Sequence, residues 1–285
     1  MLFHLGKLML RVCPTPIGNL GDITLRVLEV LRAADLIAAE DTRRTRQLLT
    51  RYGISKPLVS FYEHNELNRL PELLERLRRG EEIALVSDAG MPGICDPGYS
   101  LISAALDERL DVEVLPGPSA LDTALVASGF ATDSFVFLGY LPRKQGEMAK
   151  ALAFIAAQNR TCVAYESPHR LARTLTAAAN VLGDSRVAVC RELTKKFGEV
   201  SRGSAGELAA NLPEKVKGEI VLVFEGAGET KAEPAQDQGL EQALRGMLLE
   251  GISDRRASEL LAQATGASQN RIYKLALAVK AEKED

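Results

Sequence analysis

Residues 83–98 read IALVSDAGMPGICDPG, four apolar residues running straight into a loop of small residues, prolines and two aspartates. The run Ile83–Val86 has the length and unbroken apolar character of a strand buried on both faces. The loop Leu85–Gly98 is too long and too well punctuated for a plain turn. Its glycines let main chain wrap a ligand closely, and Asp88 and Asp96 can accept hydrogen bonds from hydroxyl or amino groups. In an α/β sheet the loops at the carboxyl ends of the strands gather around the ligand, so this stretch argues for a fold and for the place of a site together.

Outward from it, short apolar runs alternate with helical periodicity. The pattern predicts strands over 8–12, 36–39, 58–60, 83–86 and 112–115, then over 135–138, 161–165, 186–190 and 220–224. Between them lie amphipathic stretches such as Leu25, Leu28, Leu31 and Leu70, Leu73, Leu74, Leu77. Strand–helix alternation implies α/β architecture with largely parallel sheet. Two groups of strands exceed one compact sheet and imply two α/β domains in series, 8–118 and 119–226, broken near Leu115-Pro116-Gly117-Pro118. The stretch 226–239, GAGETKAEPAQDQG, has no apolar periodicity and reads as a linker. Beyond it only helical patterns remain, with Ser253 and Ser268 at N-cap positions and Gly251 and Gly266 at helix stops. This small helical domain, 238–285, suits a helix-turn-helix that contacts nucleic acid and equally a bundle that packs or dimerises.

The chain has 285 residues, 46% hydrophobic and 26% charged, which is a globular composition. Its 35 basic and 38 acidic residues give a net charge of −3, so any nucleic-acid affinity must come from local positive charge. Cys13, Cys95, Cys162 and Cys190 form no C-x-x-C pair, and with three histidines no metal site is expected. Scattered thiols of this kind read as small buried hydrophobes in a reducing compartment. Residues 1–10 lack the pattern of a signal peptide, and no run is long enough to span a membrane, so a cytoplasmic location is expected.

Five further loops carry chemistry-bearing residues. PTPIGNLGDITLR, 14–26, has glycines that permit close approach and Asp22 or Thr24 as a helix cap; it is neither a dinucleotide fingerprint nor a P-loop, and taken alone it reads first as an ordinary turn. AAEDTRRTRQLL, 38–49, ends a strand with Glu40 and Asp41 and opens a helix with Arg43, Arg44 and Arg46, with Arg51 one turn on. Cations at a helix N-terminus oppose its dipole; a basic rim for phosphates explains them, as does a solvated face capped by Asp41. LPGPSA, 115–120, opens a helix at Ser119. In the second domain, YESPHR, 165–170, follows a strand, and His169 there reads as a packing or capping residue. RELTKKFGEVSRG, 191–203, reads as a long loop carrying Arg191, Glu192, Lys195 and Lys196.

Taken in order, PTPIGNLGDIT, AAEDTR, VSDAG-P, DPG, LPGP, YES-HR and the RELTK and GEIVLVFEG pair resemble the tetrapyrrole-methylase-like superfamily of S-adenosylmethionine-dependent methyltransferases, and within it the branch that modifies ribosomal RNA. The resemblance runs from about Leu10 to Gly226, and the helical tail is also similar to one common in that branch. It implies two α/β domains with the cofactor, S-adenosyl-L-methionine, in the cleft between them, usually in a homodimer. It implies cofactor contacts at Ile17, at Asp88, Gly90, Met91 and Ile94, at Ser119 and Ala120, at Tyr165 and Glu166, and at Gly218. The implied reaction is methylation of the ribose 2′-oxygen of a cytidine in the decoding region of 16S rRNA. Where the porphyrin and corrin enzymes carry GDP in the third loop this chain has GMP, and PTPIGNLGD replaces their G-x-G-P-G-D. Both departures point away from a tetrapyrrole acceptor, which stays the alternative alongside other non-RNA acceptors and a non-catalytic RNA-binding adaptor.

A ribose hydroxyl is a poor nucleophile while protonated, so a general base or a pKa-lowering cation is expected. The candidates are Glu40, Asp41, Glu166, Glu192 and Lys195. Arg43, Arg44, Arg46, Arg191 and Lys196 are better suited to holding RNA phosphates.

Overall fold

The structure, a computed structural model, describes residues 9–226, 234–265 and 269–281. The chain divides into two compact units. One runs to Ala156 and resumes from Thr161 to Glu225; the other combines Ala157–Arg160 with the segment from Gly226 onward.

The first unit contains two five-stranded sheets. In the first, β1 (Met9–Val12), β2 (Leu36–Ala39), β3 (Leu58–Ser60), β4 (Ile83–Val86) and β5 (Asp111–Val114) lie in the order β3-β2-β4-β1-β5, all parallel. Strands β2 and β4 are buried at every residue, as their unbroken apolar runs require. Alternate side chains feed two cores: Ile37, Ala39, Ala84 and Val86 meet Val27 and Leu31 of α1 (Leu25–Ala33), while Leu36, Ala38, Ile83 and Leu85 meet Leu73 of α3 (Glu66–Arg78) and Leu101 of the helix at Tyr99–Asp107. Helix α2 (Thr42–Arg51) follows β2, and that fourth helix, Tyr99–Asp107, is α4. Thr24, rather than Asp22, caps α1, accepting from the Val27 N–H at 3.1 Å.

At Leu115–Pro118 the chain crosses over. Helix α5 (Ala120–Ser128) packs Ala124 and Leu125 not on the first sheet but against Val163, Ala188, Val221 and Val223 of the second. That sheet comprises β6 (Phe135–Tyr140), β7 (Thr161–Glu166), β8 (Arg186–Arg191), β9 (Glu199–Ser204) and β10 (Ile220–Phe224), ordered β6-β7-β10-β8-β9. Helices α6 (Gln145–Ala156) and α7 (Leu171–Leu182) link β6 to β7 and β7 to β8, and α8 (Ala205–Ala210) links β9 to β10.

Here the expectation of largely parallel sheet fails. Only β6 and β7 pair in parallel; β10 is antiparallel to both of its neighbours, and β9 is antiparallel to β8. The cause is local. Residues 191–203, read as a long loop, are a hairpin: the chain turns after Arg191 and returns as β9, so β9 and then β10 run against β6, β7 and β8. The polar sequence EVSRGS hid this strand, as suits an edge whose open side is blunted by charge.

In the second unit α9 (Pro234–Leu249), α10 (Asp254–Thr265) and α11 (Gln269–Ala281) enclose Leu244, Ala257, Leu261, Ile272 and Ala276. Helix α9 starts at Pro234, so the stretch read as linker to Gly239 is helical over its last six residues. Ser253 caps α10 through the Arg256 N–H, and Gly251 stops α9 in the left-handed region at φ +80°. Gly266, Ser268 and Leu8 lie outside the described residues. Cys13, Cys162 and Cys190 are buried as expected of apolar thiols, whereas Cys95 is exposed.

Candidate functional site

A cavity of about 370 Å³ opens in the α/β unit, within the size range of small-molecule sites. Its first wall is built by loops at the carboxyl ends of β1, β2 and β4, where a parallel sheet exposes its strand ends. Thr15 and Gly90 exchange main-chain hydrogen bonds at 2.9 Å each way, and the Thr15 hydroxyl donates to the Ser87 carbonyl at 3.0 Å. This locks the first loop to the third and sets Ile17 beside Gly90, Met91 and Ile94. Glu40 Oε2 accepts from the Asp88 N–H at 3.0 Å, and Asp88 Oδ1 accepts from the Asp41 N–H at 3.0 Å. Arg44 Nη1 sits 3.2 Å from Asp88 Oδ2.

The second wall is aromatic and main-chain. Tyr140 at the end of β6 and Tyr165 on β7 meet edge to face with ring centroids 5.5 Å apart. Residues 218–221 enter because β10 is reversed: Ile220 pairs with Glu166, which brings the start of β10 beside the end of β7. Gly218 holds φ +91°, and a Cβ there would fall 2.1 Å from Glu192 Oε1, so only glycine fits between that side chain and the cavity. Ser119 accepts from the Asp122 N–H at 3.3 Å as N-cap of α5, and Ala120 follows it on the cavity wall.

The lining is acidic, with Glu40, Asp88, Asp96, Glu166 and Glu219 against Arg44. Burial pushes the Glu40 carboxyl up, and a bond from the Asp88 N–H partly offsets this. Burial and then the charge of Glu40 push Asp96 up to about 7, against a hydrogen bond from Ser87. Burial raises the Tyr140 phenol and takes Tyr165 to about 12.

All ten residues expected to touch the cofactor line this one cavity. The catalytic candidates divide. Glu40 lines it. Glu166 touches it, but its side chain is wholly buried and fixed by the Thr174 hydroxyl at 2.6 Å, the Ser167 N–H at 2.7 Å and the Arg170 guanidinium at 3.2 Å, so it braces the turn into α7. Asp41 is excluded: it caps α2, accepting from the Arg43 N–H at 2.8 Å, and binds the Arg43 guanidinium, which holds its carboxyl far below the usual range. Glu192 and Lys195 are also outside. They pair with each other at 2.7 Å, and Glu192 accepts from the Glu219 N–H at 3.3 Å, supporting the wall from behind.

The basic candidates divide too. Arg44 lines the cavity. Arg43, Arg46 and Arg51 share a shallow surface depression with Gln47 and Thr50. Arg191 is committed to Glu199 at 3.0 Å, and Lys196 lies over its neighbour Phe197 at 5.5 Å. His169 is exposed rather than packed. Tyr140 and Glu219 were not singled out by sequence. Tyr140 could have been found as the end of a carboxyl-terminal strand; Glu219 sits at the amino end of β10 and is meaningful only once that strand is known to be reversed. Among the described residues no three His, Cys, Asp or Glu are grouped to hold a metal ion, and no helix is long and apolar enough to cross a membrane.

Residues 9–209 match the family described as Tetrapyrrole (Corrin/Porphyrin) Methylases, and the chain belongs to that family. Solved structures share the fold: the methyltransferase CobJ, with a TM-score of 0.60 at 20% identity over 80% of this chain and 98% of its own, and a diphthine synthase, with 0.56 at 14% over 76% and 90%. Much closer in sequence are proteins named Ribosomal RNA small subunit methyltransferase I. The one from Synechocystis is 42% identical over 96% of this chain and 99% of its own length. That from Escherichia coli O157:H7 is 45% identical over 94% of each. That from Thermotoga maritima is 46% identical, covering 99% of its own length but 78% of this chain.

Proposed function

We propose that this protein transfers a methyl group from S-adenosyl-L-methionine to the ribose 2′-oxygen of a cytidine in the decoding region of 16S rRNA, acting on the small ribosomal subunit as a cytoplasmic homodimer. The observation that carries the reading is that one acidic cavity gathers all ten expected cofactor residues. The names of the relatives support ribosomal RNA as the acceptor class. The same reading divides the chain into lobes 8–118 and 119–226 and a helical tail from 238.

The residues fit such a donor. S-adenosylmethionine is a cation overall, and five carboxylates against one arginine favour a cation in a partly water-excluded space. Asp88 is placed to accept from the donor's hydroxyl or amino groups, and the first N–H groups of α5, after Ser119, to meet its carboxylate. Tyr165 and Ile17 offer apolar surface on opposite walls. When bound, the donor supplies a methyl group already activated on a sulfonium sulfur. The protein's work is then to exclude water, to align the acceptor oxygen and to receive its proton; alignment at about 3–3.5 Å contributes several kcal/mol. Arg43, Arg46 and Arg51, on the face of α2 beside the cavity residue Arg44, are suited to RNA phosphates, which a tetrapyrrole acceptor does not require.

Tritiated methyl transfer to 30S subunits, to naked 16S rRNA and to a porphyrin precursor, followed by nucleoside analysis, tests this. The expected product is 2′-O-methylcytidine from the 30S arm. Label in the porphyrin arm, or in a base-methylated nucleoside, contradicts the reading.

A further inference from the structure

We propose that Asp96 is the general base that receives the acceptor hydroxyl's proton, an inference that rests on the function proposed above. The cavity presents five carboxylates, and the geometry separates them. Asp88 is bonded to the Asp41 N–H and paired with Arg44. Glu166 is wholly buried and bonded to Thr174, Ser167 and Arg170. Glu219 is exposed to solvent at the amino end of β10. Glu40 uses Oε2 to hold the main chain at Asp88. Asp96 alone of the five combines partial burial with a side chain that no main-chain N–H or cation immobilises among the described residues; its partner is the Ser87 hydroxyl.

The backbone supports this placement. Cys95 is a non-glycine residue in the left-handed region, at φ +60°, a costly conformation that concentrates at functional sites. It turns the chain immediately before Asp96, and Cys95 Sγ lies within 3.2 Å of where a Cβ on Gly139 would stand, so the loop after β4 is seated on β6 at this point. The Gly93 N–H closes the loop onto the Pro97 carbonyl at 3.2 Å. Asp96 thus sits where the acidic loop of the first sheet meets the tyrosine wall of the second.

The groups facing it come from every side: Glu40 after β2, Arg44 on α2, Ser87, Asp88 and Cys95 on its own loop, Tyr140 on β6, Tyr165 on β7 and Glu219 before β10. Burial, and then the charges of Glu40 and the other acids facing it, bring the Asp96 carboxyl to about 7, which suits a base working at neutral pH. In the step, the ribose oxygen forms its bond to the methyl carbon as the carbon–sulfur bond breaks. The bonding pair returns to sulfur, giving a neutral thioether, and the hydroxyl proton moves to the Asp96 carboxylate and later to water.

The test compares full-length parent, Asp96→Asn, Asp96→Glu and Glu40→Gln. Transfer to 30S subunits by the parent is expected to rise with pH and level off above about 7. Asp96→Asn is expected to lower kcat about 10²–10⁴-fold and to abolish that rise, with S-adenosylhomocysteine affinity by calorimetry and 30S binding kept within about twofold. Asp96→Glu is expected to restore part of the rate. Carbon-detected carboxyl NMR of the donor-free protein should show Asp96 titrating near 7. A fully active Asp96→Asn variant, a pH rise that survives in it, or parallel loss of cofactor affinity overturns the proposal. So does an ordinary aspartate titration. Failure of the parent to methylate 30S subunits instead overturns the functional reading, and the NMR titration then decides the proton-carrier role separately.

Discussion

Glu40 and Glu166 occupy equivalent places in two different sheets. Each stands at the carboxyl end of the second strand of its sheet, and in sequence both read as an acid closing an apolar run. Glu40 is half-buried and faces the cavity with a raised pKa. Glu166 is sealed beneath the turn into α7, its carboxylate bonded by a hydroxyl, a main-chain N–H and a guanidinium. What differs is the following helix. Helix α7 brings Thr174 and Arg170 back over the strand end, whereas α2 turns Arg43 to Asp41 and Arg44 to Asp88 and leaves Glu40 to the Asp88 N–H on the loop after β4. A strand-terminal acid therefore becomes part of the cavity wall in one sheet and a structural brace in the other.

The largest effect expected from breaking this contrast is on stability. Glu166→Ala strands Arg170 and Thr174 and should cost about 3–5 kcal/mol in urea unfolding, while Glu40→Ala should cost far less and weaken donor binding instead. If the two variants lose equal stability, the division of roles is wrong. Next comes the junction where the two sheets' loops touch. A Cβ on Gly18 would lie 2.9 Å from the Leu193 carbonyl oxygen and 2.6 Å from Lys195 Cγ. Gly18→Val should cost about 1–3 kcal/mol, read by thermal unfolding, because a main-chain carbonyl must move.

A smaller effect belongs to the outward face of α2. Arg46 and Arg51 have no ion pair among the described residues, and their double alanine variant should bind 30S subunits about tenfold more weakly at moderate salt. Its dependence on log salt should flatten by about 1–2, since each neutralised phosphate contributes about 0.7–0.9. An unchanged slope would remove that face from RNA contact.

The smallest effect is a pH-dependent difference in stability. Asp96 titrates near 7 in the folded chain against 3.8 without its surroundings, so the native state binds the proton more tightly. That contribution is complete below about pH 4 and lost as pH rises through 7. Asp96→Asn should accordingly melt a few degrees above the parent at pH 8, and the gap should close toward pH 4. A gap that does not vary with pH contradicts the assigned environment of Asp96.

The first sheet was readable because parallel strands buried on both faces advertise themselves: Leu36–Ala39 and Ile83–Val86 stand at the residues that periodicity indicates. The second was readable only in part. The turn after Arg191 depends on left-handed residues at Glu192 and Thr194, which are not the usual types for that conformation, and the returning strand is polar. Missing that one turn hid the direction of β10 and with it Glu219. The ten residues expected to touch the cofactor come from motif resemblance, not periodicity, and what the fold adds is that they line one cavity. The roles of Asp41, Glu166, Glu192 and Lys195 were not legible, because they depend on partners, among them Arg43, Thr174 and Glu219, that only the folded chain brings together. In sequence Asp96 reads as a hydrogen-bond acceptor, but its raised pKa comes from burial beside Glu40, which no local pattern encodes.

The central claim is that the acidic cavity of the α/β unit holds a methyl-sulfonium donor. Titration calorimetry of the full-length protein with S-adenosylmethionine and with S-adenosylhomocysteine tests it most directly. The account predicts saturable heat for both ligands at one site per chain, with weaker binding in the Glu40→Ala variant. No heat with either ligand, at concentrations where the folded protein is stable, would contradict it.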